Sequence, residues 1–116
     1  MWVLYLDRVE AAVFNALGEP NRLQIVELLR TNSFAVGEIA ETVGIRQPQV
    51  SKHLKVLAES GIVSVEPRAR QRIYRLQAEP FDWIARWVDS FEGLWEARLD
   101  SLAGYLHTNE IEEGQS

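Results

Sequence analysis

Gln47, Gln49 and Ser51 crowd the start of one predicted helix, and Lys52 and Lys55 follow on its next turn. Glutamine can pair with an adenine edge through two hydrogen bonds, and serine can bond to a base or a phosphate. Lysines suit phosphates, which fix register without reading sequence. Arg46 precedes this cluster, and Arg68, Arg70 and Arg72 follow it within a second basic stretch. The chemistry on offer is hydrogen bonding and charge neutralisation against a polyanion, not bond breaking.

The elements around these residues would position them well. Val36, Ile39, Ala40 and Val43 recur at helical spacing, and Gly44 stops that short helix. Ile45 and Arg46 make a tight turn. Gln47 to Ser60 form the next helix, with Pro48 in its first turn and Gly61 as its stop. Val50, Leu54 and Leu57 share one face; Pro48, Lys52 and Lys55 share the opposite one, flanked by Gln47, Gln49 and Ser51. His53 lies on the flank, suited to a phosphate or to a hydrogen bond within the domain. Val56 projects from the exposed side, toward packing under the following hairpin or toward thymine methyl groups. Ile62, Val63 and Val65, then Arg72 to Leu76, read as two strands with Arg68-Ala69-Arg70 near the tip. The order of short helix, glycine turn, polar-faced helix and basic hairpin is that of a helix-turn-helix followed by a wing.

Before this unit, residues 2–17 read as a helix with Leu6, Val9, Val13, Ala16 and Leu17 along one side and Gly18 at its end. Pro20 opens a second helix running to about Arg30. Its Leu23, Ile25, Val26, Leu28 and Leu29 cover most of the circumference, which predicts a buried central helix. Thr31 to Ala35 are a connection. Phe81 to Leu106 read as one long helix with two apolar stripes, one through Phe81, Ile84, Val88, Phe91, Trp95, Leu99, Leu102 and Leu106, the other through Trp83, Trp87 and Leu94. Two stripes imply two partners: the helix's own domain and another subunit. The expected fold is mainly α with a small β-hairpin, about five helices plus a two-stranded wing. The expected division is one domain over 1–107 with terminal dimerisation helices, then a flexible acidic tail over 108–116.

Composition narrows the alternatives. With 116 residues, 47% apolar and 25% charged, the chain is an ordinary globular domain. It has no cysteine, which excludes disulfides, zinc-thiolate sites and thiol chemistry within it. No apolar run approaches a membrane span, and Asp7, Arg8 and Glu10 interrupt any signal-peptide core, so a cytoplasmic protein is expected. The net charge of −5 conceals a strong asymmetry. Arg46 to Arg75 contains seven cations (Arg46, Lys52, Lys55, Arg68, Arg70, Arg72, Arg75) and two acids (Glu59, Glu66), a net +5; the other five cations and fifteen acids give −10. Local field rather than net charge steers a polyanion. A solvated charged face would give the same count.

Several stretches together resemble the ArsR-type (arsenic-repressor) regulators. These are Ala16-Leu17-Gly18-Glu19-Pro20-Asn21-Arg22-Leu23-Gln24-Ile25-Val26-Glu27-Leu28-Leu29, Val36-Gly37-Glu38-Ile39-Ala40, Gln47-Pro48-Gln49-Val50-Ser51-Lys52-His53-Leu54-Lys55-Val56-Leu57, Gly61-Ile62-Val63 and Arg72-Ile73-Tyr74-Arg75-Leu76. The similarity spans roughly residues 9–77. It implies a homodimer joined through its first and last helices, an inverted-repeat DNA operator in a prokaryotic cell, nucleoid association when bound, and repression. The expected DNA-binding residues are Arg46, Gln47, Gln49, Ser51, Lys52, His53, Lys55, Arg68, Arg70 and Arg72. The expected dimer interface holds Leu6, Val9, Trp83, Trp87, Phe91, Leu94 and Trp95.

The sequence departs from this family at its sensing positions. Metal-sensing members carry cysteines at the start of the helix that holds Val36 to Val43, where this chain has Ala35. The last helix offers Asp89, Glu92, Asp100 and His107, with no histidine pair one turn apart. No metal is therefore expected. Nothing resembles a nucleophile–base pair, a glycine-rich phosphate loop or a metal-hydrolase motif, so no cofactor or enzymatic activity is expected either. Ala35 and Arg46 also replace the usual Ser or Thr helix caps. Two further readings stand beside a metal-independent repressor. One is release by a small organic effector near Trp83, Trp87 and Trp95. The other is a winged-helix protein-interaction module that binds no DNA.

Overall fold

The computed structural model describes residues 11–115, with the side chains of 95 and 107–115 left out of the description. The chain divides into two compact units, Met1–Phe81 and Asp82–Ser116. Leu6 and Val9 lie outside the described residues, as do the side chains of Trp95 and His107.

In the first unit, α1 (11–17) buries Val13 and Ala16. Pro20 starts α2 (Pro20–Leu29) at a position where its missing N–H costs nothing. Glu19 caps the helix, its carboxylate accepting the Arg22 N–H at 2.9 Å. Ile25, Val26 and Leu29 are buried, but Leu23 is 47% exposed. So α2 is not buried all round: one face packs inward, and Leu23 stands away from it.

The segment expected as a plain connection contains a short strand, β1 (Phe34–Ala35). It pairs with β3 (Gln71–Leu76), which also pairs with β2 (Val63–Arg68), giving an antiparallel sheet in the order β1-β3-β2. The register sets Phe34 opposite Tyr74, Ala35 opposite Ile73 and Val63 opposite Leu76. The wing is therefore a hairpin completed by a third strand. Two residues are too few to show the period-2 alternation that reveals a strand in sequence. Pro67 lies within β2 opposite Arg72, which the ladder tolerates because β2 is an edge strand.

Two helices hold the core together. In α3 (Val36–Val43), Ala35 cannot cap with its side chain, and Glu38 reaches back to accept the Ala35 N–H at 3.0 Å. This is the reciprocal half of a capping box. Gly44 ends α3 at φ 72°, in the left-handed region that favours glycine. After it comes α4 (Gln47–Glu59), with Val50, Leu54 and Leu57 fully buried. At its end the Gly61 N–H donates to Ala58 and the Ile62 N–H to Leu57, at 3.1 and 2.9 Å, with Gly61 at φ 77°. That pair of bonds is a Schellman closure, and it aims the chain into β2.

The helix expected over Phe81 to Leu106 is two helices, α5 (Ala78–Asp89) and α6 (Glu92–Gln115). The break falls at Ser90-Phe91. The Ser90 hydroxyl donates to the Trp87 carbonyl, and the Ser90 N–H to Arg86 at 2.9 Å. The Arg86 bond still belongs to the α-helical ladder; the Phe91 N–H then donates to Val88 at 3.1 Å, a tighter three-residue step that ends the helix. Apolar periodicity carries across such a break, so the sequence alone did not reveal it. Within the second unit Trp83 stacks on Trp87 at 6.2 Å between ring centroids, and Phe91 meets Trp87 edge-on at 5.1 Å.

Candidate nucleic-acid interface

The packing of α4 decides which of its side chains face outward. Val50, Leu54 and Leu57 anchor one face in the core. Burying a leucine contributes about 1.5–3 kcal/mol, so rolling α4 over would forfeit several such terms. Gln47, Pro48, Gln49, Ser51, Lys52 and Lys55 are all exposed as a result. Arg46, in extended conformation just before the helix, is exposed too. Its side chain makes no capping bond, so its charge stands at a helix N-terminus, where backbone N–H groups also favour anions. Val56 is half-buried.

The wing brings its cations to the same region. The β2–β3 turn consists of Ala69 and Arg70, and Ala69 has φ 57°. A two-residue hairpin turn needs a positive φ at its first central residue. Arg68, Arg70 and Arg72 are exposed around this tip. Arg68 lies 3.9 Å from Glu66, an exposed pair of little energetic weight. Arg75 is held differently: its Nε donates to the Ser64 hydroxyl at 3.2 Å, and Gln77 also donates to that oxygen.

A groove of about 450 Å³ joins these elements, lined by Ala35, Val36 and Gly37 at the start of α3, Gln47 of α4, and Arg70, Gln71 and Arg72 of the wing. Gln47, Arg70 and Arg72 are thus gathered at one place, while Gln49, Ser51, Lys52 and Lys55 continue along the outer face of α4. Gln71, opposite Arg68 in the hairpin, was not singled out from the sequence. Its only sequence signal was a polar residue at a wing tip.

His53 is half-buried, with Nδ1 3.7 Å from Glu19 Oε2. Arg22 closes the end of α1. Its Nε donates to the Ala16 carbonyl at 2.6 Å and its Nη2 to the Asn15 carbonyl at 3.1 Å.

The expected dimer residues of the second unit that are described differ in exposure. Trp83 is half-buried; Trp87, Phe91 and Leu94 are exposed, as are Leu99, Leu102, Tyr105 and Leu106 further along α6. Among the described residues no three His, Asp or Glu side chains come together as metal ligands, and no helix is long and apolar enough to cross a membrane.

Comparison with known proteins agrees with this architecture. Residues 19–65 match the family described as "Bacterial regulatory protein, arsR family". The chain is 37% identical over 92 residues to the biofilm growth-associated repressor of Agrobacterium fabrum, covering 79% of this chain and 76% of that one. It is 40% identical over 90 residues to an HTH-type transcriptional regulator of Mycobacterium tuberculosis, covering 78% and 81%. Among solved structures it resembles the homodimeric winged helix-turn-helix DNA-binding domain of a possible ArsR-family regulator from Mycobacterium bovis. That likeness has a TM-score of 0.63 and 31% identity over 79% of this chain and 86% of the other. These relatives are regulators rather than enzymes, and this chain, with the same winged helix-turn-helix, belongs to the arsR family of bacterial regulatory proteins.

Proposed function

We propose that the protein is a transcriptional repressor that binds an inverted-repeat promoter operator as a homodimer and responds to no metal. One observation carries this reading. The buried stripe of α4 turns Gln47, Gln49, Ser51, Lys52 and Lys55 outward together, beside a basic wing tip. Two such helices in a dimer enter successive major grooves about one helical turn apart. Gln47, Gln49 and Ser51 read base edges; Arg46, Lys52, Lys55, Arg68, Arg70 and Arg72 hold phosphates, with His53 at the margin of the contact. Occupying the promoter then blocks polymerase sterically. The exposed apolar surface through Trp87, Phe91 and Leu94 supports self-association. The absence of cysteine, Ala35 included, supports metal independence.

The test is the double variant Gln49→Ala, Ser51→Ala. It should keep the dimer and the weak binding to arbitrary DNA, and lose about tenfold to a hundredfold in affinity for the operator. Full retention of operator binding would overturn this assignment of the reading face. An intact partner-protein interaction with no DNA affinity in the parent chain would favour a protein-interaction module.

A further inference from the structure

Glu19 does more than cap α2. Its Oε2 accepts the Arg22 N–H at 2.9 Å, and the same oxygen lies 3.7 Å from His53 Nδ1 on α4. The two side chains are 31% and 20% exposed, so the pair is partly withdrawn from solvent. Capping alone does not call for glutamate: Ser, Thr, Asp and Asn reach the same N–H groups and are preferred there. The longer side chain lets one carboxylate serve both α2 and α4. Arg22, in the same first turn, holds the Ala16 and Asn15 carbonyls at the end of α1. A continuous set of polar contacts therefore runs from α1 through the start of α2 to the flank of α4.

This matters because of what otherwise holds α4. Its buried stripe is Val50, Leu54 and Leu57, and burial of aliphatic surface is not directional. Such packing fixes which face is inward better than it fixes the rotation angle. The side-chain tips of a helix stand about 5–6 Å from its axis, so a rotation of about 10° moves them by about 1 Å. Recognition groups need placement to about 0.5 Å. The approach of Glu19 to His53 on the flank adds a polar restraint that does depend on rotation, because turning α4 changes their 3.7 Å separation.

We propose that Glu19 is a positioning residue which, through His53, fixes the rotation of α4 and thereby the base discrimination of Gln49 and Ser51. The proposal rests on the reading of α4 as the recognition helix. Glu19 touches no DNA in this account; it acts on which sequences are preferred, not on how strongly arbitrary DNA is held.

The experiment uses the full chain and two probes, a duplex selected from random DNA by the parent protein and a scrambled duplex of equal length. Glu19→Ser keeps an oxygen for the Arg22 N–H but cannot reach His53; His53→Gln removes the partner. Each should lower the ratio of selected to scrambled affinity by about tenfold, and the double variant should lose no more than His53→Gln alone. For Glu19→Ser the scrambled duplex should be bound as before, with an unchanged thermal midpoint. An unchanged ratio in both single variants, losses that multiply in the double variant, or equal loss on both duplexes would overturn the proposal. If the parent protein prefers no duplex, the recognition-helix reading falls, and this inference with it. A parent that selects while its variants do not differ from it removes the positioning role alone.

Discussion

The Ile62 N–H donates to the Leu57 carbonyl at 2.9 Å, and both side chains are fully buried. Together with the Gly61 bond to Ala58, this bond joins the end of α4 to the start of the wing over shared core. The wing cations and the α4 cations are carried on one continuous piece of structure. They should engage a duplex together rather than as independent arms.

This joint engagement has a measurable salt signature. If about four of these six cations in each subunit neutralise phosphates at any one time, a dimer covers about eight, and log K should fall against log salt with a slope near −7. Anisotropy titrations across a salt series read this directly. A slope of about half that value would mean that the wing does not take part.

The wing turn carries a local cost that a single substitution should relieve. Ala69 holds φ 57°, a region that costs an L-residue about 1–2 kcal/mol relative to glycine. Glycine returns part of that gain through its more flexible unfolded state. Ala69→Gly should therefore stabilise the protein by up to about 1 kcal/mol in urea unfolding, with DNA affinity preserved. A destabilised variant would contradict the turn geometry.

The second unit carries the prediction about assembly. Leu94 is 61% exposed, so Leu94→Glu should leave folding intact by circular dichroism. Placed in an apolar dimer interface, the new carboxylate has no partner and should weaken association strongly, by about 2–5 kcal/mol. Sedimentation velocity should then show a monomer where the parent chain sediments as a dimer. An unchanged dimer would place the interface elsewhere.

Much of the fold was legible because its signals are local. The α3 spacing, Gly44, Pro48, Gly61 and the buried stripe of α4 each state their role within a few residues. What was missed depends on distant partners or on backbone chemistry. The strand at Phe34–Ala35 exists because Tyr74 and Ile73 lie opposite it, forty residues away by register. The break at Ser90 is made by backbone and hydroxyl bonds beneath an uninterrupted apolar pattern. Leu23 is apolar yet faces outward, because apolar residues cover most of the α2 circumference and their count alone carries no direction. At the site, the outward face of α4 followed from periodicity alone. The Glu19–His53 pair did not, because its two residues belong to different helices and each has a sufficient local explanation.

The most direct measurement is fluorescence anisotropy of the protein with the duplex upstream of its own gene, against a shuffled duplex of equal length, with the Gln49→Ala, Ser51→Ala variant in parallel. The account predicts that the parent chain prefers the native duplex by about a hundredfold, roughly 3 kcal/mol, and that the variant loses most of that preference. Equal, weak binding of both duplexes, with no site recovered by selection from random DNA, would contradict it.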